Sequence, residues 1–252
     1  MSLKGFVIDI NGVLTAGEHP ILNAVETLSK MKEKYMIRLI TNSTSKNKYE
    51  TAEKLNRHGF SVEPDEIFSP IEAIKNYLKK MGGGAFFLST QKTQKDFSEI
   101  PETPVQAVVL THAHEDFSFE NMNRAFRYLL DGAVFIASGI SKYYKEKDGL
   151  LYLDPGPYVK ALEYATGKEA VILGKPSRDF FLSAVSDMGI LPSEAAVIGD
   201  DIETDVRGGM EAGLKGILVK TGKFRGSDLE KNIYPDFILE NIGTILENKL
   251  FL

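Results

Sequence analysis

Phe6-Val7-Ile8-Asp9-Ile10-Asn11-Gly12-Val13-Leu14 is the stretch on which the reading of the whole chain turns. Three consecutive apolar residues led by β-formers mark a strand buried on both faces, as the central strand of a parallel sheet is. The strand stops at a carboxylate, and Asn11-Gly12 is turn chemistry. Asp9 is therefore expected at the carboxyl end of a central strand, where open α/β sheets place their ligands. An Asp at that position also serves as a plain turn cap, and only partners from distant parts of the chain decide between the two roles.

The composition bounds the answer. A chain of 252 residues, 43 % hydrophobic and 26 % charged, has room for one large α/β domain or two smaller ones. It contains no cysteine, which excludes disulfides, thiolate metal sites and thiol nucleophiles and fits a reducing compartment. No apolar signal core precedes the first strand and no apolar run approaches bilayer length, so a soluble cytoplasmic protein without a membrane partner is expected. A net charge of −5 argues against a general nucleic-acid binder, whose phosphate-neutralising surface is basic.

Working outward, Ile21, Val25, Leu28 and Met31 recur at helical spacing and lead into Ile37-Arg38-Leu39-Ile40, a second short strand. That strand ends in Thr41-Asn42-Ser43-Thr44, small polar side chains that either cap the next helix or meet a ligand. The next helix carries Tyr49, Ala52 and Leu55; another opens at Ser69-Pro70 and breaks at Gly82-Gly83-Gly84, the best candidate for a hinge into a second domain. Beyond it the pattern restarts. Strands are expected at 85–88, 106–110 and 133–137, with a helix over 119–130. Lys142, Tyr143 and Tyr144 then form an aromatic and basic stretch suited either to an anionic substrate or to a solvated hairpin, with Asp148-Gly149 as the turn signal. A helix from Pro157 to Thr166 closes the segment, and the first domain is expected to resume near Gly167.

Two further apolar strands follow. Ala170-Val171-Ile172-Leu173 runs into Gly174-Lys175-Pro176, and Ala195-Ala196-Val197-Ile198 into Gly199-Asp200-Asp201-Ile202-Glu203-Thr204-Asp205. So many acidic residues at one strand end are costly unless a cation or a lysine neutralises them. Favourable charge at a helix N-terminus explains part of the cluster, but it does not require this many. Of the four histidines, His112 and His114 alternate along a strand and invite a metal reading, yet no third ligand is evident nearby.

Asp9, Thr41, Lys175 and Asp200 thus each follow an apolar strand, and in one parallel sheet such ends converge on one edge. A carboxylate nucleophile, a hydroxyl and an ammonium for phosphoryl oxygens, and acids for Mg²⁺ are the parts that phosphoryl transfer needs.

At this point the sequence resembles the haloacid-dehalogenase-like hydrolase superfamily, in its branch of phosphatases with a large α/β cap inserted between the second and third motifs. DINGVL, ITNST, GKP and GDDIETD stand for the four motifs, and the resemblance spans essentially the whole chain. It implies a Rossmann-like core (1–79 and 169–252) and an inserted α/β cap (80–168). It makes Asp9 the nucleophile, with Mg²⁺ held by Asp9, the backbone carbonyl of Asn11 and Asp200. Thr41 and Lys175 would hold phosphoryl oxygens with help from Asn42, while Asp201 and Asp205 act from behind. Cap residues, with Lys142, Tyr143 and Tyr144 as candidates, would select among small phosphorylated substrates; similar proteins suggest a homodimer.

One position departs from the family pattern. The usual first motif has a second aspartate two residues after the nucleophile, to protonate the leaving group and then activate water; here that residue is Asn11. An amide does not exchange a proton usefully, so help worth ~10² to 10⁴ in rate is missing. The expectation is slow turnover with accumulating aspartyl phosphate, or substrates whose leaving groups scarcely need protonation: pyrophosphate, acyl phosphates, phosphoramidates or aryl phosphates. A catalytically impaired binding or regulatory protein that keeps the phosphate site is the alternative. A signalling receiver is disfavoured by the nucleophile on the first strand, the insertion and the acidic fourth motif.

Overall fold

A computed structural model describes residues 3–145 and 149–247. The chain forms two compact units. One comprises the residues up to Thr41, Lys48–Phe68 and Lys175 onward; the other comprises Asn42–Asn47 and Ser69–Gly174.

The first unit is built on a six-stranded, all-parallel sheet. Its order is Phe237–Leu239, Lys215–Val219, Ala195–Gly199, Gly5–Asp9, Met36–Ile40, Ile67–Phe68. The strand that opens the sequence is therefore central. Phe6, Val7 and Ile8 are wholly buried, as an apolar run covered on both faces by crossover helices must be. On one face, Phe6 and Ile8 pack with Leu28 and Met31 of the Ala24–Lys32 helix, Leu55 of Lys48–Arg57, and Ile198 and Ile217 of neighbouring strands. Each such side chain gains about 1.5 to 3 kcal/mol by leaving water. The strand order reverses at Gly5–Asp9, which pairs with Met36–Ile40 on one side and Ala195–Gly199 on the other, and such switch points open a crevice at the carboxyl ends. Between the first strand and the first helix, the sequence reading passed over a small hairpin, Thr15–Ala16 with His19–Pro20.

The second unit has a parallel sheet of its own, ordered Val171–Ile172, Val134–Ala137, Val105–Leu110, Gly84–Leu88. Its core is formed by Val108, Leu110, Leu129, Phe135, Val159 and Leu162, which draws the Phe119–Leu130 and Pro155–Thr166 helices onto the sheet. Tyr143–Lys145 and Leu151–Leu153 make an antiparallel hairpin; Asp148, expected in its turn, lies outside the described residues.

Two elements group differently from the sequence reading. The Pro70–Met81 helix belongs to the second unit, and Gly82 and Gly83, both at positive φ, turn the chain from that helix into the unit's first strand. Val171–Ile172, expected to end beside Asp9 in the core sheet, pairs instead with Ile136 and Ala137 of the second sheet. Of the four strands expected on one sheet edge, three are there. No described helix is long and apolar enough to cross a membrane.

Candidate active site

Asp9 ends the central strand, buried to 5 % exposure. Registers of Ile8 with Ile198 and of Asp9 with Ile40 set the neighbouring strand ends alongside, so Asp200 and Thr41 continue from adjacent strands. Both are buried. Lys175 arrives from the connection between the units, and its ammonium bridges two carboxylates: Nζ is 2.5 Å from Asp9 Oδ1 and 2.7 Å from Asp205 Oδ1. One oxygen from each of Asp9, Asp200 and Asp205 lies within 4.8 Å of the others.

Three buried carboxylates face one ammonium, and their acidities record the imbalance. Burial pushes the Asp9 carboxyl up to about 7; Lys175 opposes that rise, while Asp205 and Asp200 add to it. Asp200 is also raised, mainly by burial. Burial alone would lower Lys175, but Asp205 and Asp9 more than offset it and hold the ammonium charged. A divalent cation among these oxygens would relieve the excess negative charge, and a hard, all-oxygen donor set suits Mg²⁺.

Asp205 is brought inward by a single turn of π-helix, Ile202–Arg207, a rare local geometry often found at functional sites. Gly199 makes room for it, because a Cβ there would lie 2.1 Å from Asp205 Cβ. Asp201 behaves differently. Its Oδ1 accepts N–H bonds from Glu203 and Thr204 at 3.1 and 3.0 Å, so it caps the π-turn. Burial would raise its carboxyl, but those donors and the Lys223 ammonium hold it below the usual range. Asn11 is exposed in the turn after Asp9, and its neighbour Gly12 donates an N–H bond to the Thr15 carbonyl at 2.7 Å.

The sequence reading missed the turn Thr221-Gly222-Lys223, which follows the Lys215–Val219 strand. The Lys223 backbone N–H donates to Asp200 Oδ2 at 2.6 Å, and Thr221 Oγ1 donates to the Gly12 carbonyl at 2.5 Å. A Cβ on Gly12 would stand 2.0 Å from Asp200 Oδ2, and one on Gly222 1.9 Å from it. Both glycines also have positive φ, so only glycine serves there without strain. Thr-Gly-Lys in a loop has no periodicity; a glycine next to a strand end was the sole signal available.

Asn42, although next to Thr41 in the chain, groups with the second unit. There, Asn42–Ser45 joins His112, His114, Ser138, Tyr144 and Asp154 around a cavity of about 310 Å³. Among the expected selectivity residues, Tyr144 lines it, whereas Lys142 and Tyr143 are exposed and lie outside the lining. The two histidines do not alternate along a strand. The strand ends at Leu110, and His114 opens a 3₁₀ turn at φ +45°. His112 Nε2 is 3.2 and 3.0 Å from the two ring nitrogens of His114, with the rings perpendicular and their centroids 4.0 Å apart. Nε2 of His112 is thus in contact with both nitrogens of His114, and which ring donates depends on the tautomer. Asp154 Oδ1 lies 3.4 Å from His112 Nδ1, on the opposite side of the ring.

Comparison with known proteins gives the family. A family model described as haloacid dehalogenase-like hydrolase matches residues 6–100, and a second, of HAD-hydrolase-like proteins, matches 172–245. The chain is 40 % identical over 238 residues to human haloacid dehalogenase-like hydrolase domain-containing protein 2, covering 94 % of this chain and 92 % of that one. It is 37 % identical to human phospholysine phosphohistidine inorganic pyrophosphate phosphatase, covering 98 % of this chain and 95 % of that one. Among solved structures, p-nitrophenyl phosphatase from Archaeoglobus fulgidus superposes with a TM-score of 0.87 at 26 % identity, covering 98 % of this chain and 99 % of that one. With relatives this similar along nearly its full length, the chain belongs to the haloacid dehalogenase-like hydrolases.

Proposed function

We propose that the protein is a divalent-cation-dependent phosphatase that hydrolyses small phosphorylated compounds through a phosphoenzyme on Asp9. The observation that carries this reading is the Lys175 ammonium held between Asp9 and Asp205, with Asp200 beside them. Asp9, Asp200 and the Asn11 carbonyl are the groups that would hold the cation, Mg²⁺ by donor chemistry. When bound, it would neutralise phosphoryl charge and the charge of the carboxylates.

The chain's own residues account for the rest. Asp9 attacks phosphorus in line with the leaving group, whose bond to phosphorus breaks with the electron pair going to the leaving atom. Lys175, with the Thr41 hydroxyl, receives the phosphoryl oxygens, and Asp205 fixes the ammonium from behind. Water then attacks the aspartyl phosphate, which restores the carboxylate and frees phosphate. Asn11 supplies no proton in the first step and removes none in the second. Substrates whose leaving groups depart without a proton, or carry their own, are therefore favoured: aryl and acyl phosphates, pyrophosphate and phosphoramidates. The names of two similar proteins, a p-nitrophenyl phosphatase and a phospholysine phosphohistidine inorganic pyrophosphate phosphatase, fall in the same classes. Selectivity is assigned to the second unit as the inserted cap, with Tyr144, His112, His114 and Asp154 around its cavity.

Asn11 also favours a second reading, a ligand-binding protein that keeps the site but turns over little. Phosphate release from p-nitrophenyl phosphate, pyrophosphate and phosphoramidates should require the divalent cation and should vanish in Asp9→Asn. Release from none of them, with Asn11→Asp equally silent, would leave only the binding reading.

A further inference from the structure

The turn that closes over Asp200 holds one proposed cation ligand directly and also holds the residue that follows another. Asp200 Oδ2 is occupied by the Lys223 N–H and walled in by the α-carbons of Gly12 and Gly222. The Thr221 hydroxyl meanwhile holds the carbonyl of Gly12, the residue that follows Asn11 in the turn after Asp9. Both contacts come from three consecutive residues, and these are anchored where the Lys220 N–H donates to the Leu239 carbonyl at 2.9 Å.

We propose that Thr221-Gly222-Lys223 is a positioning clasp that fixes the Asn11 carbonyl relative to the Asp200 carboxylate, and so sets the affinity of the cation site. The clasp rests on the reading of those two groups as cation ligands. It works through geometry, since Thr221 holds the Gly12 carbonyl and Lys223 holds Asp200 Oδ2. A carboxylate with one oxygen pinned by a backbone N–H and two close glycines has little freedom left. The chain therefore loses little entropy when an ion binds. Losing partners that orient ligands from behind commonly weakens metal binding by about 10 to 100-fold.

Thr221→Val keeps the shape and removes the hydroxyl, Thr221→Ser restores it, and Gly222→Ala forces a Cβ against Asp200. Calorimetric titration of the chelated protein with Mg²⁺, and with Mn²⁺ followed by electron paramagnetic resonance, reads affinity without turnover. Expected are a 10 to 100-fold weaker cation affinity in Thr221→Val and recovery in Thr221→Ser. At saturating cation, kcat of Thr221→Val should return close to that of the unchanged protein. Gly222→Ala should be weaker still, and if it does not fold the threonine pair decides. Equal affinity in Thr221→Val and the unchanged protein would overturn the clasp, as would a loss of thermal stability with no change in affinity. Absence of Mg²⁺ or Mn²⁺ binding to the unchanged protein would instead overturn the reading of the site itself.

Discussion

The Lys175 ammonium sits 2.5 Å from Asp9 Oδ1, and both side chains are buried. On the proposed mechanism, the attacking carboxylate is thus already paired with the charge that would receive the phosphoryl oxygens. Lys175→Met should abolish phosphatase turnover while leaving two buried carboxylates, Asp9 and Asp205, without their counter-charge. Breaking a buried pair in this way costs about 3 to 5 kcal/mol, less whatever Asp9 recovers by taking up a proton. Urea unfolding should show the loss in chelator, and millimolar Mg²⁺ should restore part of it.

The raised Asp9 carboxyl gives a pH signature with a definite sign. In the cation-free protein, folded Asp9 keeps its proton to about 7, while the unfolded chain releases it near the ordinary 3.8. The stabilisation from that proton is complete below the unfolded value and is lost as pH rises through the folded one. Asp200, raised in the same direction, adds to the slope. In chelator, the melting temperature of Asp9→Asn minus that of the unchanged protein should grow between pH 5 and pH 8. Mg²⁺ should stabilise the unchanged protein more at pH 8, where it displaces fewer protons. A difference independent of pH would mean that Asp9 is ionised throughout.

Asn11→Asp would place a titrating group where an amide now stands. Because Asn11 is exposed in its turn, the change should fold without strain. Turnover of an alkyl phosphate should rise by roughly 10² to 10⁴, the usual worth of general acid-base help, whereas turnover of p-nitrophenyl phosphate should change far less. Steady-state kinetics on the two substrates test this directly, and equal gains on both would remove leaving-group protonation as the explanation.

His114 holds a left-handed backbone that costs a residue other than glycine about 1 to 3 kcal/mol, and Asp154 approaches its ring partner, His112. If the cavity of the second unit selects substrates, His114→Gly and Asp154→Asn should change kcat/KM unequally across a panel of phosphorylated amines, sugars and nucleotides. They should leave p-nitrophenyl phosphate turnover within about fivefold, since one lost hydrogen bond near 1 kcal/mol is worth about that factor. His114→Gly should also hold or raise the melting temperature. A uniform drop on every substrate would point to a structural role for the cluster.

Much of this architecture is legible in the amino acids. Phe6 to Ile8, Leu39-Ile40 and Ala196 to Ile198 are short apolar runs that only a sheet covered on both faces buries completely, and the polar residue after each run lands on the working edge. Val171-Ile172 carries the same signal but joins the other sheet, because periodicity tells which residues form a strand and not which neighbour it pairs with. Lys175 reaches Asp9 regardless, since a long flexible stem tolerates an origin outside the sheet. The turn at Thr221 and the π-turn at Asp205 leave little trace in the sequence for a related reason: apart from one threonine hydroxyl, both depend on backbone groups and missing Cβ atoms, which composition does not show.

The order of strands in the core sheet bears on how the molecule is made. Gly5–Asp9 is translated before the second unit, and one of its two pairing partners, Ala195–Gly199, only after all of it. Until then one edge of a very apolar ribbon is open to any passing chain, a hazard for misassembly during synthesis. Chaperone dependence and inclusion-body formation at high expression are the expected symptoms. A circular permutant that begins near Lys175, so that both halves of the core sheet are translated in succession, should relieve them.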